Sequence, residues 1–217
     1  MIKIFMSYST ENKSMVGELK SNLESLGFEV FIAHEDIEPS RQWQDVIVEN
    51  IISSDVFIPV LTKIFKTSDW TDQETGIAFY NKKLIIPLHI EIVPYGFIGR
   101  YQDLKINIDH LDEAAIEILE TIRNHKPDFN NRITSSVIER FEKSTSYREA
   151  AIQSRVIAHM KKLSHEEVNK ISRAIISNDQ IHGSWGAASN IRFFLSTYSK
   201  YLDKENHEKL KERYSFN

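Results

Sequence analysis

The chain has 217 residues, 41% hydrophobic and 27% charged, with a net charge of −4 and no cysteine. Such a composition suits one ordinary globular domain plus a smaller appendage, and it excludes disulfide scaffolds, thiolate metal sites and a cysteine nucleophile. The absence of cysteine also fits a reducing compartment, and 7 glycines and 5 prolines leave little room for flexible linkers or low-complexity tracts.

Residues 2–6, Ile-Lys-Ile-Phe-Met, read as a short buried strand. They lack the basic-then-apolar plan of a signal peptide, and no apolar run approaches the ~20 residues that span a bilayer. A cytoplasmic location with no membrane partner is the expectation. Residues 11–26 carry Val16, Leu19, Leu23 and Leu26 at helical spacing and stop at Gly27, a residue suited to the left-handed position after a helix. Residues 28–32 form a second strand. Residues 41–53 form a helix with Val46, Ile47, Ile51 and Ile52 inward. Residues 55–61 are a third strand, 69–80 a helix, 84–90 a fourth strand and 104–108 a fifth. His89, inside the fourth strand, reads as a hydrogen-bonded core histidine. Residues 109–123 close the series as a helix with Leu111, Ala115, Ile118, Leu119 and Ile122 inward.

Strict alternation of strand and helix implies right-handed βαβ units and a parallel sheet with helices on both faces. Ligands of such sheets sit at the carboxyl ends of the strands, which places function in the loops 7–10, 33–41 and 62–68. Pro127 and the polar run 128–131 mark a boundary, giving an α/β domain over 1–126 and an all-helical domain over 127–217. Helices are expected over 132–143, 146–163, 165–177, 187–202 and 204–214. Ser164-His165-Glu166-Glu167 has the spacing of a capping box. Residues 178–186 read as a loop in which Trp185 anchors the helical core.

Charge is unevenly divided. Residues 1–128 hold 12 Lys+Arg and 21 Asp+Glu, net −9, whereas residues 129–217 hold 15 and 10, net +5. The basic residues of the second part are interspersed with acids, so a nucleic-acid partner is not expected.

Three motifs stand in order on this framework. Ile4-Phe5-Met6-Ser7-Tyr8-Ser9 is an apolar run ending in Ser-Tyr. His34-Glu35-Asp36-Ile37-Glu38-Pro39-Ser40-Arg41-Gln42-Trp43 puts an acid before an Ile-x-Pro pattern with a tryptophan. Ser68-Asp69-Trp70-Thr71-Asp72-Gln73-Glu74 sets a carboxylate one helical turn beyond an indole. Together they resemble the first strand, the BB loop and the tryptophan helix of the TIR (Toll/interleukin-1 receptor) domain, over about residues 1–125. The sequence departs from the family at Ser40, where Gly is usual, and at Thr71, where Cys is frequent.

The resemblance implies a flavodoxin-like five-stranded parallel sheet followed here by the helical domain. It also implies one of two functions. Some family members are adaptors that act by TIR–TIR assembly. Others cleave the nicotinamide–ribose bond of NAD⁺, releasing ADP-ribose or a cyclic isomer; prokaryotic immune enzymes of the Thoeris type use the cyclic product as an anti-phage signal. Carried over by motif, the catalytic residue is Glu74. Ser7, Tyr8, His34, Asp36, Trp43 and Trp70 are the candidate substrate-binding residues, with Trp43 and Trp70 open between packing and ligand contact. NAD⁺ is a substrate, and no cofactor or metal is implied. Implied partners are other copies through TIR–TIR contacts, a trigger protein and an effector that binds the cyclic product. A third reading is another N-glycosidic enzyme, of the nucleoside deoxyribosyltransferase kind, which shares the layered fold and a nucleophilic Glu.

Overall fold

A computed structural model describes residues 1–32 and 43–216. It divides into two compact units, Met1–Asn130 and Asn131–Asn217.

The N-terminal unit is built on β1 (Ile2–Ser7), β2 (Phe28–Ile32), β3 (Val56–Leu61), β4 (Leu84–Ile85), β5 (Leu88–His89) and β6 (Leu104–Lys105). Every pairing is parallel, in the order β2-β1-β3-β5-β6, with β4 beside β3. The apolar run 84–90 therefore appears as two short strands on one path. Pro87 has no N–H to donate to the ladder, which interrupts the run there. The amide of Ile86 still reaches the Phe57 carbonyl at 3.0 Å, and the Pro87 carbonyl accepts from Leu104 at 2.8 Å. Counted as one path, the sheet has five strands in the flavodoxin-like order. The fifth is shorter than the expected 104–108. It lies at the edge, and among the described residues its strand partner is the two-residue β5 alone.

Among the described residues, helices α1 (Lys13–Ser25), α2 (Trp43–Ser53), α3 (Asp69–Tyr80) and α4 (Leu111–His125) accompany the sheet. Residues 10–12 form a 3-10 turn ahead of α1 rather than its first turn. Gly27 follows α1 with φ +99°, the left-handed conformation that its position suggested. Phe31, Phe5 and Phe57 lie side by side across three strands, with ring centroids 5.4 and 5.7 Å apart. They belong to a core that also takes in Ile47 and Ile51 of α2 and Ala78 of α3. Ile52, expected inward, is 50% exposed, because the helix closes on the sheet through Val46, Ile47 and Ile51 alone.

The C-terminal unit is helical: its first helix, α5 (Pro127–Glu142), begins in the last residues of the N-terminal unit and is followed by α6 (Tyr147–His159), α7 (His165–Ser177), α8 (Asp179–His182), α9 (Trp185–Tyr198) and α10 (Lys204–Tyr214). Pro127 opens α5, and the two units divide within the first turns of that helix, between Asn130 and Asn131. Proline is well suited to a first helical position, where its missing N–H has no partner in any case. Val137, Phe141, Val156, Ile171, Phe194 and Leu195 are buried in its core. Ser164 caps α7 by accepting from the Glu167 amide while the Glu167 carboxylate accepts from the Ser164 amide, the reciprocal box foreseen from the sequence. Trp185 does not anchor this core: it is 96% exposed at the first position of α9.

Candidate active site

Strand parity and helical spacing together build the site. Ser7 lies two residues beyond Phe5 on β1 and therefore faces the same side of the sheet. On α3 the buried residues Thr71, Glu74, Thr75 and Ala78 recur at i, i+3, i+4 and i+7, one stripe of the helix. Ala78 joins the apolar core, so Glu74 arrives one turn nearer the helix start, at the level of the strand end. There the Ser7 hydroxyl donates to Glu74 Oε2. Ser7 is 1% exposed and Glu74 3%.

The start of α3 is held by Thr71, whose hydroxyl donates to the carbonyls of Phe65 at 2.6 Å and Ser68 at 2.9 Å. Thr71 thus ties the helix to the turn that follows β3. Thr62 adds a second tie: its hydroxyl donates to Asn12 Oδ1 at 3.1 Å and accepts from the Phe65 amide at 3.2 Å.

Glu74 lines a cavity of about 230 Å³, together with Met6, Tyr8, Ser9, Thr10, Trp43, Ser68, Trp70 and Thr71. The indoles of Trp43 and Trp70 meet edge to face, with ring centroids 4.6 Å apart. Desolvation pushes the Glu74 carboxyl up to about 7, opposed by the Ser7 hydrogen bond and then by the nearby Trp70 N–H. That N–H is buried and makes no well-formed hydrogen bond among the described residues.

The structure therefore brings together Ser7, Tyr8, Trp43, Trp70 and Glu74. His34 and Asp36 lie outside the described residues. Ser9, Thr10 and Ser68 join the lining from two of the strand-end loops that the βα alternation singled out. His89 stands elsewhere: its Nδ1 is 2.6 Å from Asp103 Oδ2, and its side chain is partly exposed rather than in the core. On the other flank of α3, Asp72, Thr75, Tyr95 and Phe97 line a more open hollow of about 330 Å³. Its acid, Asp72, is exposed and accepts from the Tyr95 hydroxyl at 2.8 Å, so it lacks the desolvated carboxyl that distinguishes the Glu74 cavity. Among the described residues no group of three His, Cys, Asp or Glu could hold a metal ion.

Residues 4–119 match the family model of the TIR domain. The chain belongs to the TIR-domain family. No curated protein matches the sequence. No described helix of this TIR protein is long and apolar enough to cross a membrane.

Proposed function

We propose that the TIR unit cleaves the nicotinamide–ribose bond of NAD⁺, with Glu74 as the carboxylate that faces the anomeric carbon. One observation supports this above the rest: an almost fully buried acid at a cavity walled by two indoles. TIR domains serve either as NAD-cleaving enzymes or as adaptors. An adaptor works through its surface and gains nothing from desolvating a carboxyl, which costs several kcal/mol for the charged form. The same cavity also favours NAD⁺ over deoxynucleosides, because an aromatic cleft with an anion receives a flat, cationic pyridinium well.

Nicotinamide bound through its ring nitrogen is cationic and leaves as a neutral molecule, taking the electron pair of the C–N bond. No acid is needed to protonate it. The ribose is left with oxocarbenium character, and a carboxylate held beside it in a dry site stabilises the charge where it develops. Water then adds to the anomeric carbon and gives up a proton, yielding ADP-ribose. Attack by an atom of the same molecule gives a cyclic isomer instead, and exclusion of water favours that route. The cavity of about 230 Å³ falls below the roughly 300–1,000 Å³ typical of pockets that enclose a whole ligand. In this reading it takes the nicotinamide end, with the remainder of the dinucleotide outside. The product serves as an anti-phage immune signal in the cytoplasm, TIR–TIR contacts assemble the active form, and the helical unit responds to a trigger protein.

Glu74→Gln is the test. In triggered or crowded protein it lowers nicotinamide release by at least about a hundredfold, the scale of removing one electrostatic stabiliser. Circular dichroism of the variant matches the parent. Unchanged turnover would remove Glu74 from the reaction, and parent and variant equally silent under every trigger would favour the adaptor.

A further inference from the structure

In the C-terminal unit, α6 and α9 run side by side in the same direction. Ser184 Oγ donates to the Tyr147 carbonyl at 2.8 Å, Asn190 Nδ2 reaches Ser154 Oγ at 3.2 Å, and Tyr198 Oη donates to the Met160 carbonyl at 2.9 Å. Between them Gly186 lies so close to Ala151 that an added Cβ would stand 3.0 Å from the alanine methyl. The absent side chain at Gly186 lets the two helices approach closely there. At 100° per residue, Trp185, Ser189, Arg192, Phe193 and Ser196 share the outer side of α9, and Arg148, Ile152, Arg155 and His159 share that of α6. Trp185 is 96% exposed, Phe193 61% and Ile152 40%. Arg148 and Arg192 are exposed as well. The single acid of the two helices, Glu149, accepts from the amide and hydroxyl of Thr145 at the helix start.

We infer that this aromatic, cationic ledge docks the acidic outer side of α4 in a second copy of the chain. Exposed tryptophan, phenylalanine and arginine together are the composition of an interface centre, and a Trp so fully exposed is costly to leave in water. Pairing of the ledge with itself would set arginine against arginine, so the partner surface is acidic. The chain carries one: the helix Leu111–His125 exposes Asp112, Glu113 and Glu117 in its first two turns, on the part of the sequence with net charge −9. The contact joins two different surfaces and is separate from the Glu74 cavity, so it holds or fails independently of NAD⁺ cleavage.

Sedimentation velocity on the full chain tests it. Mass rises with concentration at low salt and falls back at high salt. Trp185→Ser/Phe193→Ser and Glu113→Lys/Glu117→Lys each weaken association by about tenfold or more while keeping the parent circular dichroism. An equimolar mixture of the two variants restores association, because one intact ledge then meets one intact acidic side. Three outcomes overturn the inference: a parent chain that stays monomeric, including one that instead shifts a single-stranded oligonucleotide; a mixture that fails to associate; or a Ser189→Cys chain that forms disulfides with its own copies. The parent has no cysteine to confuse the last readout.

Discussion

A carboxyl group that is 3% exposed and pushed up to about 7 is charged in only about half of the molecules at neutral pH. If the charged form stabilises the oxocarbenium ion, kcat/KM for nicotinamide release rises as pH passes through about 7 and levels off above it. Ser7→Ala removes a hydrogen bond to the charged form, worth about 1.5–3 kcal/mol, and so moves this limb upward by about one to two pH units. A pH–rate profile of the two proteins checks it; an unmoved inflection would mean that the Ser7 hydroxyl does not act on the carboxylate. Stability runs in the opposite sense. Because folding raises this pKa from 4.5, the contribution of Glu74 is fully present below about 4.5 and is lost as pH rises through about 7. Glu74→Gln therefore stabilises the fold at pH ~8, by on the order of 3 kcal/mol, and has little effect at pH ~4. Urea titrations at the two pH values measure the difference. Glu74 and Ser7 were legible in the chain because each sits in a short contiguous motif, one at a helix start and one at a strand end. Trp185 was not, since hydrophobicity describes a preference for burial and says nothing of whether a neighbour stands opposite.

Elements were legible in proportion to how much of their hydrogen bonding is local. The α7 capping box involves groups three residues apart, and it forms as the sequence indicated. Ser164→Ala should destabilise the helical unit by about 1 kcal/mol, and Glu167→Ala by a smaller amount. Chemical denaturation followed by helical circular dichroism reads both, and an unshifted midpoint for Ser164→Ala would show that the cap adds nothing. Strand ends depend on partners instead. Residues 104–108 have the apolar content of a strand, but pairing stops after Lys105, and Ile108 is 52% exposed. Pro127 and Pro87 show the same residue with opposite effects. At a helix start its missing N–H costs nothing; within a ladder it removes a rung.

At the scale of the whole molecule, the sequence alone determined the class of fold, because period-2 and period-3.6 apolar patterns are intrinsic to the chain and their alternation admits a parallel sheet with few topologies. It also determined the family and the position of the acid within its motif. Tertiary structure decided what neither pattern carries. Residues 67 positions apart meet as Ser7 and Glu74, and burial of the acid at that meeting moves it up to about 7 against the pull of the Ser7 hydrogen bond. Two helices packed in parallel through Gly186 and Ala151 leave Trp185 on the outside. Both results depend on which surfaces face each other after folding: desolvation and exposure are properties of surroundings assembled from distant segments, and no local stretch of sequence contains them.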